Sequence, residues 1–170
     1  SITGTGTLQN FSQASGTGST VTLGYDDTNA SFGGVISSPF AINKLNITKL
    51  GIGTQTFTGN SSDTDSGILT VNSGAITVNG ASGKVAFTTY QLNTGGVLNV
   101  DNSTTNVNNR LGGSALSTLS TGSSATILAA PMRVLNMAGG TINFTNGTAS
   151  ASVENLGDVT IGSGASTFNL

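Results

Sequence analysis

The chain predicts an all-β fold, a parallel β-helix (β-solenoid) of roughly seven coils, on three observations. A short phrase recurs: glycine, a five-residue alternation of apolar and polar residues, then an Asn/Asp/Gly turn. Copies stand at 67–74, 74–80, 95–102, 139–147 and 157–164. Gly74 and Gly96 lie 22 residues apart and Gly96 and Gly140 lie 44 apart, which suits one and two periods of a solenoid coil. Helix signals are nearly missing, and short runs of alternating hydrophobicity fill the chain between Gly, Asn, Asp and Ser turns. A β-sandwich of short strands is the alternative, because turn signals every ~8–12 residues suit it too.

Each element follows from that pattern. A β-strand places alternate side chains on one face, so each phrase sends one apolar pair inward. The pairs are Leu69/Val71, Ile76/Val78, Leu98/Val100, Ile142/Phe144 and Val159/Ile161. Stacked at ~4.8 Å per coil, seven coils make a rod roughly 35 Å long with a continuous aliphatic column inside. Gln55 stands where an inward aliphatic is expected, which requires either a buried amide or a register shift of one residue. Pro39 and Pro131 fit between strands, where no ladder N–H is needed. The one stretch with helical character, 111–140, has enough Ala and Leu for a turn or two, but Pro131 and flanking glycines oppose anything longer.

Composition bounds the function classes. At 170 residues, with no composition shift or charge run, the chain reads as one solenoid domain, 1–170. Charged residues are only 7 %, which raises the question of disorder. Leu, Ile, Val and Phe make up about a quarter of the chain and alternate regularly, so it has the apolar content of a folded protein. A net charge of −2 with five scattered basic residues gives no footprint for nucleic acid or an anionic membrane. No run of about 18 apolar residues is present to span a bilayer as a helix. The chain holds no Cys and no His, so disulfides, thiolate metal sites, thiol nucleophiles and the commonest general base are excluded.

What remains for chemistry is sparse. Of seven carboxylates, the adjacent Asp26 and Asp27 in GYDDTN would point to opposite faces of a strand, and a solvated turn is the simpler assignment. Asp63-Thr64-Asp65-Ser66-Gly67 begins like a calcium loop but lacks the third oxygen ligand and the later glutamate. The Thr3/Thr5/Thr7 and Thr54/Thr56/Thr58 runs could order water on a flat face, although a chain this rich in threonine yields such runs by chance. Sequons at Asn10, Asn29, Asn46, Asn60, Asn102, Asn143 and Asn146 are likewise near the number chance supplies. No catalytic residue, cofactor site or metal site is assigned, and no enzymatic activity is expected.

The segment LNITKLGIGTQTFTGNS (45–61) resembles the signature of autotransporter-associated β-strand repeat proteins, in which a Thr-Lys-x-Gly-x-Gly-Thr phrase leads into a strand and closes with Ser/Thr-Gly-Asn. FGGVISS (32–38), NNRLGGSAL (108–116) and VENLGDVTIGSGAST (153–167) are similar to flanking segments of those repeats, in the same order. Gln55 departs from the pattern, and no membrane-embedded translocator barrel is recognisable here. The resemblance implies the passenger part of a surface adhesin: a β-helical rod at the bacterial cell surface, outside the cell.

The ends, SITGTGTLQN and GASTFNL, carry neither a capping helix nor charge. Open solenoid ends expose core and backbone edge. The expectation is therefore a segment of, or a stacking unit in, a longer fibre, with self as the partner end to end or by strand donation. Glycans or other cells are candidate ligands of its Thr/Asn/Gly-rich surface. A polysaccharide-degrading β-helix enzyme is the further alternative.

Overall fold

The computed structural model describes residues 1–12, 18–40, 44–113, 117–121, 124–128, 133–147 and 151–170. After a short β1 (Thr7–Gln9), the first coil runs through β2 (Ser19–Leu23), β3 (Ala30–Phe32) and β4 (Val35–Ser37). The second is β5 (Leu45–Lys49), β6 (Thr54–Phe57) and the start of the long β7 (Asn60–Val71). The rest of β7, β8 (Gly74–Val78) and the start of β9 (Lys84–Asn93) make the third, and the rest of β9 with β10 (Gly96–Asn102) opens the fourth. An antiparallel hairpin follows, β11 (Ser117–Thr121) with β12 (Ser124–Leu128). The stack resumes with β13 (Val134–Ala138) and β14 (Thr141–Asn146), then β15 (Val159–Ile161) and β16 (Thr167–Asn169).

Strands alternate between two parallel six-stranded sheets, ordered β2-β5-β7-β9-β13-β15 and β3-β6-β8-β10-β14-β16. Each strand pairs with its counterpart one coil away, as a β-solenoid requires and an antiparallel sandwich does not. Among the described residues there is no helix. The 111–140 stretch supplies β11, β12 and β13 in place of a helical turn, and Pro131 lies outside the described residues.

In-register stacking turns the inward pairs into four columns. On the first sheet they are Val21–Ile47–Leu69–Tyr90–Leu135–Val159 and Leu23–Lys49–Val71–Leu92–Met137–Ile161. On the second, Ala30–Gln55–Ile76–Leu98–Ile142–Phe168 runs beside Phe32–Phe57–Val78–Val100–Phe144. The middle rungs are sealed: Ile47, Leu69, Val71, Ile76, Val78, Leu92, Leu98, Leu135 and Ile142 are fully buried. Val159 and Ile161 keep their inward register but remain 46 % and 68 % exposed, because β15 has a neighbour on one side only. Phe144 is only part-buried and lies against Phe168 at 5.4 Å.

The stack holds about five turns, fewer than the roughly seven expected. The 44-residue interval is the reason. Val97 pairs directly with Thr141 and Val100 with Phe144, so no rung lies between β10 and β14. The doubled spacing is one coil carrying the β11–β12 excursion rather than two coils.

The recurring glycine has a steric cause at the corners. Gly51 and Gly74 adopt φ values of 67° and 64°. A Cβ on Gly74 would lie 2.4 Å from the Gly51 carbonyl oxygen, and one on Gly51 would lie 2.0 Å from that of Gly24. Corners pack backbone on backbone, and only glycine lets them approach so closely.

Candidate functional site

Buried polar side chains cluster at the corners between sheets, and their partners lie in the turns. Lys49 stands in an otherwise aliphatic column and is 1 % exposed. Its Nζ donates to the Leu50 carbonyl at 2.5 Å and the Gly51 carbonyl at 3.0 Å, closing the turn that β5 makes into β6. Burial lowers its pKa, and the charges of Asp27 and Asp26 oppose that shift. Gln55, four residues past that turn's start, keeps the register, so of the two expected outcomes it is the buried amide. Its Oε1 accepts the Ile2 N–H at 2.9 Å and its Nε2 donates to the Ile2 carbonyl at 3.0 Å, reaching past the small Ala30. The Thr-Lys-x-Gly-x-Gly-Thr phrase is thus a corner device: a lysine that binds the turn carbonyls and glycines that let the next coil approach.

Asp26 and Asp27 occupy a turn, as expected. Asp26 accepts hydrogen bonds from the Ser1 and Thr28 hydroxyls, which hold its pKa below the usual aspartate value. Asp27, at φ 53°, accepts the Ile52 N–H through Oδ1 at 2.8 Å and so ties two corners together. The side chains of residues 62–66, with Asp63 and Asp65, lie outside those described. Among the described residues no three His, Cys, Asp or Glu side chains converge to hold a metal.

A second network joins coils on the less regular third side. Arg110 is fully buried. Its Nε donates to Asn102 Oδ1 (2.6 Å), Nη1 to the Gly83 carbonyl (2.7 Å), and Nη2 to the Gly80 and Thr105 carbonyls (both 2.9 Å). The Glu154 carboxylate accepts the backbone N–H of Arg110 at 2.6 Å and of Leu111 at 3.2 Å, standing where a neighbouring rung would offer carbonyls. Tyr90 lies in the aliphatic column with its hydroxyl 2.9 Å from the Val85 carbonyl and 2.7 Å from that of Leu111, and it accepts the Phe87 N–H at 3.2 Å. Burial pushes the Tyr90 phenol far above its ordinary range, so it remains a neutral donor.

Burial raises the Glu154 pKa, while the two N–H groups and the charges of Arg110 and Lys84 pull the other way. The sign follows: an acid whose pKa is raised on folding contributes stability below its unfolded value and loses it as pH rises through the folded one. Glu154→Gln removes that titration. The stability of the native protein relative to Glu154→Gln is therefore expected to fall as pH is raised from about 4 through the folded pKa, by urea titration at each pH. A pH-independent difference would contradict the assignment.

The outer side of the second sheet carries a different arrangement. Register aligns Ser31, Thr56, Thr77, Asn99, Asn143 and Asn169 in one column. Asn99 Nδ2 donates to Thr77 Oγ1 (3.1 Å), Asn143 Nδ2 to Asn99 Oδ1 (2.7 Å), and Asn169 Nδ2 to Asn143 Oδ1 (2.6 Å). Beside this ladder a groove of about 740 Å³ is bounded by Asp101, Ser103, Thr145 and Asn146. Desolvation pushes the Asp101 carboxyl upward, but bonds from Ser103 and Asn79 and the Arg110 charge outweigh it and leave its pKa lowered. Of the Thr54/Thr56/Thr58 run, Thr56 meets Thr77 and then Asn99 in register, but Thr54 meets Ala75 and then Val97, so the run is not repeated as a threonine face. Of the sequon residues, Asn10 and Asn102 are buried, and Asn143 is engaged in the ladder.

The alternation found the columns but not Lys49, Arg110, Glu154 or the groove. One signal was available: Lys49 falls at an inward position of the alternation. No protein-family model, curated protein or solved structure matches the chain.

Proposed function

We propose that the chain is a non-enzymatic structural and adhesive protein, a β-helical rod or fibre at the bacterial cell surface. One observation carries the reading. Among the described residues, no buried side-chain nitrogen or oxygen lacks a hydrogen-bond partner, and Lys49, Gln55, Tyr90, Arg110 and Glu154 all bind backbone groups of turns or neighbouring coils. The polar interior works as coil-to-coil fastening, and binding is left to the Thr- and Asn-rich outer faces. The likeness of 45–61 to autotransporter-associated β-strand repeats, whose passenger parts are surface adhesins, agrees with this assignment. Small-angle scattering tests it. About five turns at ~4.8 Å stack to only ~24 Å, so elongation is expected through assembly of copies along the solenoid axis, and a compact globular monomer at every concentration would sink the proposal.

A second reading, a filament subunit joined end to end or by strand donation, is favoured by the last rung. There β16 offers an unpaired edge, Phe168 is 45 % exposed, and Asn169 stands last in the amide ladder. A further coil laid on this rung would continue the columns and the ladder. Negative-stain microscopy should then show filaments that lengthen with concentration, whereas isolated particles throughout would reject this reading.

A further inference from the structure

We propose that the groove beside the amide ladder binds a neutral oligosaccharide, with Asn99, Asn143, Asp101 and Thr145 as its polar contacts. The inference rests on the adhesive reading above and names its ligand class. The ladder bonds fix the planes of the Asn99 and Asn143 amides. A carboxamide has two N–H groups and two oxygen lone pairs, so each ladder member keeps an N–H and a lone pair free beyond those the ladder engages. These repeat with the rungs every ~4.8 Å along the solenoid, about the length of one pyranose ring. A glycan lying along the rod axis would therefore meet one amide per sugar.

Charge selects the class. Asp101 accepts the Ser103 N–H at 2.9 Å, and its lowered pKa keeps it ionised at neutral pH. A carboxylate accepts hydrogen bonds from sugar hydroxyls, and the amide N–H groups donate to them. No cation lines the groove among the described residues, so an acidic polysaccharide would meet Asp101 with its own charge unpaired. An uncharged polyol satisfies all of these features, and a polyuronate does not.

The test is an array of neutral hexasaccharides (gluco-, manno-, xylo- and galacto-configured) with oligogalacturonate and alginate as acidic comparators, followed by calorimetry on the strongest hit. Binding to at least one neutral oligosaccharide is expected, roughly tenfold weaker in Asn99→Ala and in Asp101→Ala. Thr145→Val removes an outer hydroxyl without touching the ladder and should weaken binding in the same direction. Thr70→Ala, on the outer side of the other sheet, should leave it unchanged. Absence of neutral binding, preference for the acidic comparators, or affinity unmoved by both Asn99→Ala and Thr145→Val would overturn the assignment. Scattering of the same samples separates the two ideas, since an elongated particle without sugar binding fails the groove alone.

Discussion

Gly74→Ala is expected to destabilise the protein by about 2–5 kcal/mol, on two separate grounds. The residue sits at φ 64°, where an L side chain costs about 1–2 kcal/mol. Its Cβ would also lie 2.4 Å from the Gly51 carbonyl oxygen and 2.5 Å from that of Gly53. Both atoms are backbone held by the corner of the preceding coil, so no side chain can swing aside, and overpacking of this kind costs roughly 1–3 kcal/mol. Gly162→Ala is the control, because its Cβ would meet only the Met137 carbonyl oxygen, at 3.5 Å. Urea unfolding should show the Gly74→Ala midpoint well below that of the native protein, and a Gly162→Ala unfolding free energy within ~0.5 kcal/mol of the native value. A Gly74→Ala variant within 1 kcal/mol of native would mean that the corners are not closely stacked.

This glycine also shows what the sequence could reveal. The recurring Gly and the apolar pair behind it are local: a corner needs the first, and alternation places the second. Leu69/Val71, Ile76/Val78 and Leu98/Val100 were therefore legible directly, and so was the parallel stacking. The coil count was not, because a 44-residue interval is equally two coils or one coil with an excursion, and only the Val97–Thr141 register decides. The polar interior was less legible still. Lys49 and Gln55 sit at inward positions whose neighbours in register are aliphatic, which is a sequence signal. Arg110 and Glu154 give none, because what they bind is mostly backbone: the Gly80 and Gly83 carbonyls lie 30 and 27 residues from Arg110, and the Arg110 N–H lies 44 from Glu154. Likewise the amide ladder exists only once register sets Asn99 beside Asn143. Alternation identifies which residues face outward, and the coil length decides which of them meet.

Arg110→Met should have the largest effect of any single polar substitution, a loss of about 3–5 kcal/mol. Its guanidinium is fully buried and spans three segments, binding the 80–83 turn of the preceding coil, Thr105 in the loop after β10, and Asn102 at the end of β10. Methionine approximates its length and removes all four hydrogen bonds. The Gly80, Gly83 and Thr105 carbonyls then lose this donor, while Asn102 Oδ1 keeps only the Val107 N–H, and each unmet buried polar group costs roughly 1–3 kcal/mol before relaxation. The charge acts as well, since Glu154 stands against the Arg110 and Leu111 N–H groups in the field of the guanidinium. Removing one member of a buried charged cluster typically costs about 3–5 kcal/mol. Arg110→Lys keeps the charge but has fewer donors and no planar fork, so it should recover only part of the loss. Solenoids are stabilised by nearest-neighbour interfaces, and Arg110 fastens the third coil to the fourth. The loss should therefore split unfolding at that junction, so that in a Tyr25→Phe background, where Tyr90 is the one remaining tyrosine, transitions followed by its fluorescence and by far-ultraviolet dichroism no longer coincide. A single coincident transition within 1 kcal/mol of native would show that this network does not hold the coils together.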